Sequence, residues 1–581
     1  MDDPDLKQVI PHPNNPEGLS EPPAEQSPND PDPFTPPVPG QVINSEPAPS
    51  EPAPSGSIQP PGAEVPTPPA ASSQPGGGKR WLKMLVWLII LALIAAGGWL
   101  AYQKYVKKSP ASSTTAQSKD IPLLKIGVLQ AAYGKLYPDM SLNEYSYLTN
   151  SQIFEGLVRY ENKSKLVPDL ASTWTNPDSK TWLFTVKSGV KFHDGHTLAA
   201  SDVKYSLDTL IASKSDIAQT FADTIASVDV VGSNQVKITT TDPDPALLNK
   251  LVWLYVIDAN LPKGGEPSLA GTGPYEVKPG TTPSDSRVQM VAFNGYHGGT
   301  PKTKALDFGS GKDDATLVKA FQAHQYDIVG QMQVSDVQAV SGAKQFITSE
   351  ADAEFIAFNT IKPGPLHNKL VREAIRYAVS AAAIGKASGS QVTPLSQLIP
   401  EPIPGYNPAI TPYKQDIAKA KKLLAQAGYP NGVTIRFSTS AGDPVVNEIV
   451  SELKQAGITA TLDRHANFDE FISYFGSGQA EVYSIDYSSD TLDGLDIYTT
   501  TLNDPNYSNP KLTALLGQAS TETNPAKRLK LLQDAAVIVD QDIPVVPLYS
   551  QSNLWLMDKP YAIQQDMPSS LISVYFYKVH Q

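Results

Sequence analysis

The chain has 581 residues, a formal net charge of −13 at pH 7, and no cysteine. That length points to several domains. The missing thiol excludes disulfides, cysteine metal sites, thiol nucleophiles and a lipid-carrying cysteine anchor within this chain.

Residues 1–78 hold 22 of the 52 prolines, and eleven acidic residues against one basic residue, Lys7. "SEPAPSEPAPSGS" (45–57) is a short tandem repeat. So little apolar side chain cannot offset the entropy of ordering the backbone, so a disordered Pro-rich acidic tail is expected. Its PxxP spacing ("PFTPPVP", 33–39) is read as part of a solvated spacer.

A spanning helix is expected over 81–102. Met84 to Tyr102 is 19 residues without a charge. That gives about 28 Å of helix at about 1.5 Å per residue, enough to cross a bilayer core. Trp81, Trp99, Tyr102 and Tyr105 sit near its ends, as in an aromatic belt. A cleavable signal would start nearer residue 1 and carry an A-x-A site; "LIAAGG" is the nearest approach to one. Three cations precede the segment (Lys79, Arg80, Lys83) and three follow it (Lys104, Lys107, Lys108), so charge alone gives no orientation.

After a linker (103–120), strand and helix signals alternate, which predicts a mixed α/β body of more than one lobe. "LLKIGVLQ" (123–130) reads as a buried strand. "SYLTNSQIFEGLVRY" (146–160) reads as a helix entering a strand. "TWLFTVKSGVKF" (181–192) alternates like a half-buried strand pair. "ASDVKYSLDTLI" (200–211) is an amphipathic helix. "ASVDVVGSNQVKITTT" (226–241) is a hairpin turning at Gly232-Ser233-Asn234. "LVREAIRYAVSAAAI" (370–384) and "DIAKAKKLLAQAGY" (416–429) read as helices. "TIRFSTS", "VVNEIVSELKQAGI" and "TATLDRH" (434–465) make a βαβ unit with Gly457 ending its helix. "PAKRLKLLQDAAVIVDQDIPVVPLYS" (525–550) is a helix running into a strand.

Enzyme signatures are missing. "GGGK" (76–79) lacks phosphate-loop spacing. There is no HExxH, no G-x-S-x-G, and no GxGxxG between a strand and a helix. His193 and His196 straddle a Gly, and Asp194-Gly195 is first a turn signal. A metal there would need a further protein ligand held in place; the turn reading is preferred. No catalytic residue, cofactor or metal is expected, and no basic footprint for nucleic acid exists.

The stretch "QIFEGLVRYENKSKLVPDLASTWTNPDSKTWLFTVKSGVKFHDGHTLAASDVKYSLDTL" (152–210) resembles the signature region of extracellular solute-binding proteins of the peptide/nickel class. These are capture subunits of ABC importers. "GTGPYEV" (271–277), "EFIAFNT" (354–360), "VREAIRYAVS" (371–380), "AKKLLAQAGYP" (420–430) and "IPVVPLYS" (543–550) continue the resemblance over nearly all of 121–581.

The resemblance implies a two-lobed periplasmic-binding-protein-like fold with an extra domain. Lobe one would be 121–163, 251–357 and 546–581, the extra domain 164–250, and lobe two 358–545, with crossings near Asn359 and Pro544. The His193–Asp194 cluster would belong to the scaffold. In peptide binders of this family an acidic residue in a W-x-x-D-Y stretch receives the peptide α-ammonium. "YSIDYSSD" (483–490) matches it, so Asp486 takes the acid's place, and Tyr483 stands where tryptophan is frequent. Tyr483, Tyr487 and Tyr145 would line the pockets. The "SSDTLDG" continuation departs from the family pattern, and family members also bind nickel complexes, sugars or haem.

The expected function is therefore solute capture, of oligopeptides first, for an ABC permease, by a non-enzymatic monomer. The chain would be a single-pass membrane protein, held in lipid by 81–102, with its binding body outside and its tail cytoplasmic. The alternatives are a sensor signalling through that tail, or a binder of a non-peptide solute such as a nickel complex, a sugar or haem.

Overall fold

A computed structural model describes residues 119–129, 144–163, 165–213, 215–260, 269–284, 286–332, 340, 342–349, 351–401, 403–443, 445–489, 491–502, 505–566 and 574–581. The expected tail (1–78) and spanning helix (81–102) lie outside them. Among the described residues no helix is long and apolar enough to cross a membrane.

In chain order the strands are β1 (Leu124–Leu129), β2 (Val158–Glu161), β3 (Lys165–Pro168), β4 (Ala171–Thr175), β5 (Thr181–Val186), β6 (Ile225–Val231), β7 (Gln235–Thr240), β8 (Tyr275–Val277) and β9 (Arg287–Ala292). There follow β10 (Ala305–Gly311), β11 (Ile328–Met332), β12 (Lys344–Ser349), β13 (Asp352–Phe358), β14 (Gln391–Pro394), β15 (Val433–Ser440), β16 (Ile458–His465), β17 (Val482–Ser488) and β18 (Val545–Met557). The β4–β7 strands form an antiparallel sheet in the order β4-β5-β7-β6. Its alternating burial, seen in β5 and β7, is what one packed face and one wet face require.

Twelve of the described strands join one mixed sheet, ordered β16-β15-β17-β13-β18-β11-β1-β10-β9-β8, with β12 and β14 also on β18. The long strand β18 links its halves. Val545–Tyr549 pair with β13, whereas Ser552–Met557 pair with β12. The change of partner falls at Asp352 and Ser550–Gln551. Phe358 N–H still donates to Pro544 O at 3.1 Å, so Asn359 and Pro544 lie on the β13 side of that change. The Asp352 carboxylate accepts from Ser550 Oγ (2.8 Å) and Gln551 N–H (3.0 Å).

The family-like motifs have packing reasons. A Cβ on Gly271 would meet Ile153 O at 2.0 Å, and one on Gly273 would meet it at 2.6 Å, so "GTG" is required by close backbone approach. In "VREAIRYAVS", buried Arg372 donates to the carbonyls of Leu366 (2.7 Å), Asp542 (2.6 Å) and Ile543 (2.9 Å). It thereby satisfies orphan acceptors at the end of the helix Pro525–Asp542. In "FNT", Asn359 donates to Gly478 O and Asn506 Oδ1.

Two expected elements differ. The helix over 370–384 is broken: Lys369–Ala378 ends at extended Val379, and Ser380 caps a second helix, Ala381–Ala387, by accepting from Ala383 N–H. Beyond β5, residues 187–192 are not a strand. Gly189 takes φ +78°, and only Lys191 makes an isolated bridge, to Thr197. The βαβ unit is as expected, with β15 and β16 parallel and Gly457 at φ +86°.

Arg528 and Asp493 form a buried bidentate pair at 2.6 and 2.8 Å. Arg528 Nε also donates to Ala519 O, and Asp493 caps the helix Gly494–Thr501. Removing one buried partner leaves the other uncompensated, so Arg528→Ala is expected to lower unfolding stability by about 3–5 kcal/mol. Urea unfolding checks this; a loss under about 1 kcal/mol would show the pair to be solvated.

Candidate ligand-binding site

The two histidines of "KFHDGHTLAASDVKYS" do not converge. Gly195 has φ +94°, which makes the Asp194-Gly195 turn. His193 N–H donates to Gly271 O (2.9 Å), and His193 Nε2 lies 3.0 Å from Gly273 O. Burial lowers the His193 pKa, favouring the neutral ring. His196 Nδ1 lies 2.6 Å from Asp258 Oδ2, and that contact, with Asp194, raises its pKa. Asp202 accepts from Ala199 N–H (2.7 Å) and Ala259 N–H (3.0 Å), so it ties the start of its own helix to the 257–260 segment. His193 and Asp202 thus fasten this stretch to the backbone near residues 259 and 271–273. Asp194, His196 and Asp258 together, and separately Glu155, Asp169 and His297, have the proximity to hold a metal ion.

Asp486 has different surroundings. It is exposed near the end of β17, and its carboxylate has no hydrogen-bond or ion-pair partner among the described residues. It lines a cavity of about 250 Å³, walled by Glu354 of β13, Tyr549 and Gln551 of β18, and Ser388, Ser390 and Asp443 from loops. Phe468 and Phe471, from the helix Phe468–Gly476, supply its aromatic wall. Phe468 is 54% exposed, unusual for a phenylalanine. Asp443 is already engaged, accepting from Thr439 Oγ1 and Val445 N–H at 2.9 Å each.

Tyr483 lies away from this cavity. Side chains alternate along a strand, so residues 483 and 486 face opposite sides. Tyr483 is 4% exposed and stacks on Phe475 at 4.6 Å, inside the core rather than on the cavity wall. Burial pushes its hydroxyl up to about 12. Tyr487 shares that face. It donates to Thr500 Oγ1 at 3.3 Å and is not among the cavity's lining residues. Tyr145 falls in the first turn of the helix Glu144–Ile153, and its side chain lies outside the described residues. The aromatic residues that do line the cavity, Phe468, Phe471 and Tyr549, were not singled out from the sequence. An exposed phenylalanine opening an amphipathic helix was the one available signal.

With this geometry in place, the comparison with family models is decisive. The model of the bacterial extracellular solute-binding proteins, family 5 (middle region), matches residues 165–509. The chain belongs to this family. Members capture peptides or other small solutes outside the cytoplasm for an ABC permease and are not enzymes. The glutathione-binding protein GsiB of Escherichia coli strain K12 is 26% identical over 426 residues, covering 68% of this chain and 82% of GsiB. Heme-binding protein A of Haemophilus influenzae is 27% identical over 463 residues, covering 71% of this chain and 84% of its own. The periplasmic binding protein DppA of Helicobacter pylori, solved with the peptide STSA, has a TM-score of 0.59 and 21% identity, covering 81% of this chain and 99% of DppA. The likeness to DppA supports a mixed α/β fold of the periplasmic-binding-protein kind.

A second acidic cluster is internal. Asp169 lies beside Glu155, which accepts from Tyr296 (3.0 Å) and sits 2.9 Å from His297 Nε2. Burial and then Glu155 push Asp169 up to about 7, against Arg159 and His297. The folded state therefore binds a proton that the unfolded chain releases near pH 4. Its contribution to stability falls as pH rises from about 4 to about 7. Asp169→Asn is expected to flatten that fall. Melting temperatures of variant and parent at about pH 5 and pH 7.5 check this, and equal pH slopes would remove Asp169 as the group responsible.

Proposed function

We propose that this chain is the capture subunit of a peptide importer, held at the cell surface by the segment 81–102. The observation that carries the peptide reading is Asp486. It is a carboxylate with no partner among the described residues, at a lined cavity, and it stands where the resemblance puts the acceptor for an α-ammonium. Such a charge-assisted bond strengthens as closure excludes water. The peptide backbone would be held through strand-like hydrogen bonds, which need no particular side chain. The DppA neighbour, solved with a peptide, supports this class, while GsiB and heme-binding protein A name glutathione and haem.

The lobes would close about Asp352 and Ser550–Gln551, where β18 exchanges β13 for β12. No covalent chemistry is required. The work is a difference in affinity between open and closed forms. The 119–581 body would lie outside the membrane and the acidic tail, 1–78, inside. The length and lack of charge of 84–102 support the anchor, and the family's site of action supports the orientation.

Two measurements test the reading. Asp486→Ala is expected to weaken binding of a free-amine tripeptide by about 2 kcal/mol or more, roughly thirtyfold in Kd. N-acetylation of the peptide should cause a similar loss in the parent protein. Calorimetry showing equal affinity for acetylated and free peptides would discard the ammonium role. For topology, protease added to intact cells is expected to digest the body and spare the tail. Digestion of the tail instead would reverse the orientation.

A further inference from the structure

Glu354 stands directly opposite Asp486 in the β13–β17 register. Opposed residues on an antiparallel pair share a face, with Cβ atoms about 4.5–5.5 Å apart, and like charges there are destabilising. Both line the same cavity. Glu354 is 8% exposed, and its carboxylate makes no hydrogen bond or ion pair among the described residues. Burial, then Asp486, Asp443 and Asp352, push its pKa well above the usual carboxylate range. A register irregularity between Glu354 and Phe355 in the β13–β18 pairing lies at the same point, and irregularities of this kind often re-aim a side chain.

Among the described residues the lining includes three carboxylates, Glu354, Asp443 and Asp486, and no lysine, arginine or histidine. Asp443 is occupied by the local turn. Glu354 and Asp486 have no hydrogen-bond or ion-pair partner among the described residues. A ligand with one ammonium pairs Asp486 and leaves Glu354 holding a proton, whereas a second positive charge beside Glu354 can displace that proton and pair with the carboxylate. A ligand with two positive charges a few ångströms apart complements the wall.

We infer that the cavity selects dicationic ligands, namely peptides whose first residue carries a free α-ammonium for Asp486 and a basic side chain for Glu354. This rests on the peptide reading above and specifies its substrate class. The flexible four-carbon stem of lysine lets one residue reach both carboxylates. Ser388, Ser390, Tyr549 and Gln551 provide neutral acceptors for remaining N–H groups.

The test uses the full chain in detergent and calorimetry with three tripeptides: Lys-Ala-Ala, norleucine-Ala-Ala and N-acetyl-Lys-Ala-Ala. Lys-Ala-Ala is expected to bind about tenfold more tightly than the norleucine peptide. Glu354→Gln, nearly isosteric, is expected to abolish that preference. Asp486→Ala should weaken both free-amine peptides. Equal binding of the lysine and norleucine peptides by the parent protein, both weakened by Asp486→Ala, overturns the dicationic selection and leaves the peptide reading intact. Binding of none of the three overturns both. The comparison of peptides on the parent protein does not depend on the variants folding. A Glu354→Gln protein that melts no lower than the parent, yet retains the lysine preference, removes Glu354 from the selection.

Discussion

One strand belongs to both halves of the large sheet, and most of the architecture follows from it. β18 runs 13 residues without interruption, with only Gln551 and Asn553 not buried. A strand flanked on both edges and covered on both faces must be apolar nearly throughout, and "VVPLYSQSNLWLM" meets that demand except at its middle. There the polar residues serve Asp352, which accepts from Ser550 and Gln551 and fastens the start of β13 where the pairing changes. The candidate cavity lies beside that point, with Glu354, Tyr549 and Gln551 among its lining residues.

The acidic residues divide into two kinds. Asp202, Asp352, Asp443 and Asp493 each accept backbone or hydroxyl hydrogens, and each fixes a helix start, a loop or a strand junction. Glu354 and Asp486 do neither. Stability alone gives no reason for two carboxyl groups opposed across a strand pair with no cation beside them among the described residues. Local rules broken without compensation inside the fold are expected where a function uses them.

Short-range patterns in the sequence carried much of the fold. Gly195, Gly232 and Gly457 stand at turns or ends that "DG", "VGSN" and "KQAGI" foretold. The βαβ unit and the helix entering β18 follow from periodicity alone. What misled was treating "YSIDY" as one surface. The two-residue period of a strand sends Tyr483 and Tyr487 to the face opposite Asp486, and applying it to the motif would have removed both from the pocket. Glu354 was legible in a different way. It is the acidic residue within the otherwise apolar "EFIAF", and a charge in a central strand calls for a partner or a purpose. Its place opposite Asp486 could not be read, because the register of strands more than a hundred residues apart is set by packing. The break at Val379–Ser380 was hidden by continuous apolar periodicity across a serine that caps a new helix.

The seam beneath the β4–β7 sheet has a mechanical consequence. It is fastened by His193 to the carbonyls of Gly271 and Gly273, by His196 to Asp258, by Asp202 to the backbone of Ala259, and by Ser206 to both backbone groups of Ile257. Most of these fasteners end on main-chain atoms, so substitutions on the far side of the seam leave the receiving groups in place. The four-stranded sheet is thereby tied, through the 193–206 stretch, to the backbone of the 257–259 and 271–273 segments.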